Sequence, residues 1–139
     1  MTADDTELAH DLTHEFTHAA MGPVTSDRTP LWLVEGFAEY VPYKTEHVSS
    51  QALHRVLAGL STSSLPDSTT FYNDAHNYVL GWLACRLIAE TYGEAKLVQL
   101  YENLSNGSAD LRGTLGVDEE TFTKRWAAYV ERARTSTLP

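Results

Sequence analysis

His14-Glu15-Phe16-Thr17-His18 places two histidines four residues apart, with a glutamate directly after the first. Four residues are slightly more than one helical turn. On an α-helix both imidazoles therefore stand on one face, about 40° apart around the axis, and can reach a single metal ion. Glu15 points to the side of that pair, where water beside the ion would sit. A chain with this content of His and Glu would contain such a pentapeptide by chance roughly once in fifty cases, so the motif needs a further ligand to carry weight.

The surrounding residues read as a helix with two faces. Leu8, Leu12, Phe16 and Ala19 cluster on one side, and His14 and His18 project from roughly the opposite side. An apolar stripe for packing and a separate face for metal are the expectation. A hydrolytic zinc site takes three protein ligands and leaves a fourth position open, so another His, Asp or Glu must come from a different element. The segment Pro30-Leu31-Trp32-Leu33-Val34-Glu35-Gly36-Phe37-Ala38-Glu39-Tyr40 supplies candidates. It reads as a second helix, with Thr29 as N-cap, Pro30 in the first helical position, and Leu33, Phe37 and Tyr40 or Val41 at helical spacing. Glu35 and Glu39 then share one face.

At this point the sequence resembles the gluzincin zinc metallopeptidases, and within them the peptidase MA-like domains and the aminopeptidase-N-like enzymes. In these, HExxH is followed by a segment of the form WLxEGxAxY, which Trp32, Leu33, Glu35, Gly36, Ala38 and Tyr40 match position by position. The resemblance implies that His14, His18 and Glu35 are the ligands of one zinc ion and that Glu15 is the general base. It further implies that Glu39 hydrogen-bonds a ligating histidine, fixing its tautomer and raising its basicity. Sixteen residues separate His18 from Glu35, two fewer than in the aminopeptidase-N-like enzymes, and the loop from Gly22 to Thr29 is where the difference falls.

A third segment, Tyr78-Val79-Leu80-Gly81, resembles the YxxG helix that follows the zinc helices in that subfamily, where the tyrosine donates a hydrogen bond to the oxyanion. A preorganised phenol can stabilise developing negative charge without changing its own. Tyr78 is the candidate by this resemblance, with Tyr72 and His76 as alternatives. Tyr78, Trp82, Cys85 and Ala89 also form a stripe at helical spacing that a core would use.

The 139 residues, 42% of them apolar, suit one domain with a real core, here 1–139. No 18-residue apolar run is present, so no membrane span is expected. The acidic start Met1-Thr2-Ala3-Asp4-Asp5 does not read as a signal peptide. A cytoplasmic location is the default expectation unless the chain derives from a trimmed secreted or anchored parent. The single Cys85 excludes an intramolecular disulfide framework and is expected to be buried and inert. A formal charge of −9 argues against a nucleic-acid partner. Lys124, Arg125, Arg132 and Arg134, interleaved with Glu131, read as a solvated helix face.

The rest of the pattern is helical, with no strand alternation, so the expected fold class is all-α. Ser49 or Ser50 caps a helix through Leu53, Val56, Leu57 and Leu60, followed by a Ser/Thr-rich loop from Ser61 to Thr70, either substrate-lining or mobile. Asn73 or Asp74 starts the Tyr78 helix, which ends near Tyr92-Gly93. Ala95 to Leu104 forms another, closed by Asn106-Gly107. A short helix spans Ala109 to Leu115, and a last one capped by Asp118 turns Phe122, Trp126 and Tyr129 or Val130 inward. Two glycosylation sequons, at Asn103 and Asn106, carry little meaning without an extracellular context.

By the resemblance, the fold is a zincin-like helical catalytic domain that lacks the β-sheet gluzincins carry before the zinc helix. The chain is then either a fragment of a longer enzyme or a minimal helical form that grips its substrate with loops. The expected activity is hydrolysis of a peptide bond in a peptide or protein substrate. The missing sheet would favour a partner domain or a second copy covering the metal face. The rival expectation is a zinc-binding, non-catalytic pseudopeptidase or interaction module. His10, one turn before His14, is the one candidate for a fourth ligand closing such a structural site, and it reads better as a surface or core histidine.

Overall fold

The computed structural model describes residues 2–135, and among them only helices form. In chain order these are α1 (Ala3–Met21), α2 (Leu31–Tyr43), α3 (Ser50–Leu57), a single 3-10 turn (Phe71–Asn73), α4 (His76–Tyr92), α5 (Glu94–Asn106), α6 (Leu111–Leu115) and α7 (Glu119–Thr135). The all-α expectation is met. No helix among the described residues is long and apolar enough to cross a membrane.

Local chemistry accounts for most helix starts. At α1, Thr2 Oγ1 accepts from the Asp5 backbone N–H while the Asp5 carboxylate accepts from the Thr2 N–H, a reciprocal cap on two otherwise unpaired donors. Ser49 caps α3, Asp110 caps α6, and Asp118 accepts from the Thr121 N–H at the head of α7. The start of α2 corrects the sequence reading. Pro30 stands just outside the helix and Thr29 does not cap it. Thr29 is buried, and its hydroxyl pairs with Ser105 Oγ at 2.6 Å. With Thr25 on the Tyr101 hydroxyl and Ser26 on the Ser105 carbonyl, it fastens the α1–α2 loop to the end of α5.

The core lies among α2, α4, α5 and α7. Leu33, Leu83, Ile88, Leu97, Leu100, Phe122, Trp126 and Val130 are buried in it, and the Trp126 indole N–H is donated to the Leu80 carbonyl at 3.1 Å. Cys85 is buried there as expected, its thiol pushed up by desolvation and so inert. The closest helix contact is between α2 and α4. A Cβ on Gly36 would stand 2.4 Å from the Gly81 carbonyl oxygen, and one on Gly81 would stand 2.6 Å from that of Trp32. The two backbones touch at this point because neither residue has a side chain.

Helix α1 contradicts the apolar-stripe expectation. Leu8, Leu12 and Phe16 are 59%, 47% and 69% exposed, so the helix does not pack through them. It lies on α2 through the opposite face, where Thr17 is buried and the histidines are half-buried. Helix α3 ends at Leu57, short of the expected Leu60, and of its residues only Leu53 and Leu57 are buried.

Candidate metal centre

Three side chains from two helices converge between α1 and α2. His18 Nε2 lies 2.8 Å from Glu35 Oε1, His14 Nε2 lies 3.3 Å from the same oxygen, and the two Nε2 atoms are 3.0 Å apart. Helical spacing sets the histidine pair, and the Gly36–Gly81 contact sets the position of Glu35, the residue beside it. Glu35 is buried at 6% exposure in spite of its charge. Burial alone would raise its pKa, but His14, Tyr72 and His18 around it hold the carboxyl below the usual range. His14, His18 and Glu35 could together hold a metal ion.

Outer contacts support two of the three donors, Glu35 and His14. The Tyr72 hydroxyl is donated to Glu35 Oε2 at 2.6 Å, leaving Oε1 for the histidines. Glu39 Oε1 faces His14 Nδ1 at 3.7 Å, an ion-pair separation longer than a hydrogen bond. Carboxylates on both nitrogens, Glu35 first and then Glu39, raise His14 to about 10 despite its burial. Glu39 in turn would be raised by burial, and His14 and His10 beside it hold it down instead.

A cleft of about 360 Å³ opens beside the donors, lined by Asp11, His14, Glu15, Glu39 and Tyr78. Glu15 is exposed within it, one residue along the helix from His14. The Tyr78 ring centroid stands 6.3 Å from that of His14. Burial, and after it the charges of Glu35, Glu39 and Glu15, raise the Tyr78 hydroxyl, which stays a donor at neutral pH. The two alternatives to Tyr78 separate cleanly. His76, half exposed, pairs with Asp74 at 2.8 Å, and Tyr72 is committed to Glu35.

Sequence reading missed how Tyr72 is used and which partners His10 has. Read as a surface or core histidine, His10 is half-buried, with Glu46 at Nδ1 and Glu39 at Nε2. The signal was present: His10, His14 and His18 repeat at four-residue intervals on one face, opposite Glu35, Glu39 and Glu46. Tyr72 had no such signal, because the Ser61–Thr70 loop that delivers it has no periodicity. That loop is anchored by the Ser68 hydroxyl, which accepts the Leu31 N–H at the head of α2. Comparison with protein-family models, curated proteins and solved structures finds no match to this chain.

Proposed function

We propose that this chain is a zinc-dependent peptidase of gluzincin type, with a zincin-like arrangement of its first two helices. The observation that carries the reading is the triangle of His14 Nε2, His18 Nε2 and Glu35 Oε1, with sides of 2.8 to 3.3 Å. Ligands about 2.0–2.1 Å from a tetrahedral zinc stand roughly 3.3 Å apart, so the donor set has the size and the N/N/O chemistry that zinc takes. A fourth protein ligand would close the site. His10 does not supply one, because both its nitrogens face carboxylates.

Zinc held there would act as a Lewis acid, polarising a carbonyl and bringing the pKa of water toward neutrality. The remaining work falls to side chains of the cleft. Glu15, exposed beside His14, takes the proton of the attacking water and returns it to the leaving amine. Tyr78, still protonated, donates to the oxygen on which negative charge develops. Tyr72 and Glu39 keep Glu35 and His14 in the orientation the ion needs.

One observation favours a second reading, a non-catalytic module in which metal serves as a clamp. Helix α1 meets α2 through His/Glu pairs and not through its leucines, so an ion there would also fasten the helix. Elemental analysis of the wild type and Glu35→Ala tests the site: about one zinc per chain, lost in the variant, is expected. A peptide-library screen with Glu15→Gln then separates the two readings. The peptidase reading requires cleavage by the wild type and a loss of about 10²–10⁴-fold in the zinc-loaded variant. No cleavage by the zinc-loaded wild type leaves the clamp, and equal turnover in both would overturn the role of Glu15 as the base.

A further inference from the structure

His10, Glu39 and Glu46 form a group of half-buried ionisable side chains outside the three metal donors. His10 is the third step of the α1 histidine ladder, with a side chain only 13% exposed. Its Nε2 meets Glu39 Oε2, its Nδ1 meets Glu46 Oε2, and its ring packs on Tyr43 with centroids 4.5 Å apart. We infer that His10 is a positioning residue for the metal centre: bridged to Glu46, it holds Glu39 against His14 and thereby sets the affinity of the site for its ion. This inference rests on the metal reading of His14, His18 and Glu35.

A neutral imidazole has one N–H and one lone pair, so placed between two carboxylates it would set its lone pair against an oxygen lone pair. Only the doubly protonated ring satisfies both partners. Burial opposes that charge, and Glu46 and Glu39 outweigh it, raising His10 above its ordinary value. Tyr43 takes no part in the proton balance. Burial and the charges of Glu39 and Glu46 push its hydroxyl to about 12, and it serves as a wall against the ring.

The consequence falls on Glu39. One of its oxygens is bound to His10, which leaves Oε1 as the oxygen facing His14 Nδ1. A carboxylate at Nδ1 keeps the proton on that nitrogen and leaves the Nε2 lone pair for a metal. Without His10, Glu39 would be a half-buried anion facing His14 alone, free to turn both oxygens away from it toward solvent. Glu46, on the turn after α2, is the outer post that keeps His10 itself from rotating.

The test is a zinc titration against a competing chelator on wild type, His10→Phe, Glu39→Gln and the double variant, with elemental zinc on each. His10→Phe is expected to weaken zinc about tenfold, within the range found when a ligand's hydrogen-bond partner is removed. If His10 acts through Glu39, the double variant is no weaker than Glu39→Gln alone, an outcome that general loosening of the fold would not produce. His10→Gln, which keeps one donor, should recover part of the affinity. Should His10→Phe fail to fold, Glu46→Gln lies outside every helix and is expected to weaken zinc a few-fold with helicity unchanged. Wild-type affinity or tighter binding in His10→Phe, or losses that multiply in the double variant, would overturn the inference and leave the metal site standing. A wild type that takes up no zinc would overturn the metal reading, and this inference with it.

Discussion

His14 sits between two carboxylates, and that placement makes the metal-free protein sensitive to pH in a defined direction. In the unfolded chain its imidazole titrates near 6.5, whereas in the fold Glu35 and Glu39 raise it to about 10. The stability it contributes is therefore complete below about 6.5 and is lost as pH climbs toward 10. Glu35 and Glu39, held below 4.5, contribute above that value and lose their contribution as pH falls through their lowered folded values. The melting temperature of the chelated protein should thus peak between roughly pH 5 and 6.5 and decline on both sides. A profile that rises from pH 6.5 to 9 would show that His14 is not paired as described. The two tyrosines are distinguishable at the same scale. Tyr72→Phe removes the hydrogen bond to Glu35 Oε2 and should weaken metal about tenfold. Tyr78→Phe, which touches no donor oxygen of Glu35, should leave metal content intact and lower turnover about 10²-fold. The reverse assignment of effects would exchange their roles.

Among elements, the contact between α2 and α4 has the least tolerance. In the sequence, Gly36 and Gly81 were letters of two resembled motifs; in the fold they are one contact, and the Glu35 and Tyr78 motifs are joined through it. Gly36→Ala must push the Gly81 backbone aside. It should cost on the order of 3 kcal/mol and carry Glu35 out of reach of the histidines, read as a lower denaturation midpoint together with lost metal. An alanine that leaves both unchanged would refute the contact. The histidine spacing and the acid face of α2 were legible beforehand because each depends on periodicity within one helix, whereas this junction joins two helices and was not. Nor was the docking of α1. A hydrophobic stripe shows that a helix has an apolar face but does not say which face its nearest neighbour takes, and here paired charges on α2 took the other one. Thr29 was misread for a related reason: a hydroxyl before a helix can cap it or bond elsewhere, and the partner, Ser105, is 76 residues away. With Phe16 69% exposed, Phe16→Ser should change stability by no more than about 0.5 kcal/mol. A large loss would mean that the stripe is covered in solution.

In the whole molecule, burial divides unevenly between α1 and the remaining helices. The buried apolar core draws on α2 to α7 and the Phe71 turn, while α1 adds only the partly buried Met21 to its edge. What holds α1 in place is its row of histidines against Glu35, Glu39 and Glu46, a polar seam whose pairs are weakened by desolvation and by titration. An ion ligated by two residues of α1 and one of α2 would bind only when the helices are docked, so its binding energy adds directly to the docking equilibrium. At a hundredfold excess over the dissociation constant the gain is about 2.7 kcal/mol, enough to change the undocked fraction roughly a hundredfold. Hydrogen exchange should therefore respond to metal selectively. Amides of residues 3–21 are expected to lose protection when the ion is chelated, while those of α4 and α7, closed by Trp126 and its neighbours, keep theirs. Uniform loss would mean that the metal stabilises the fold as one unit. If neither region changed, the site would lie outside the seam, and the convergence of His14, His18 and Glu35 would have to be read as an ion-pair network alone.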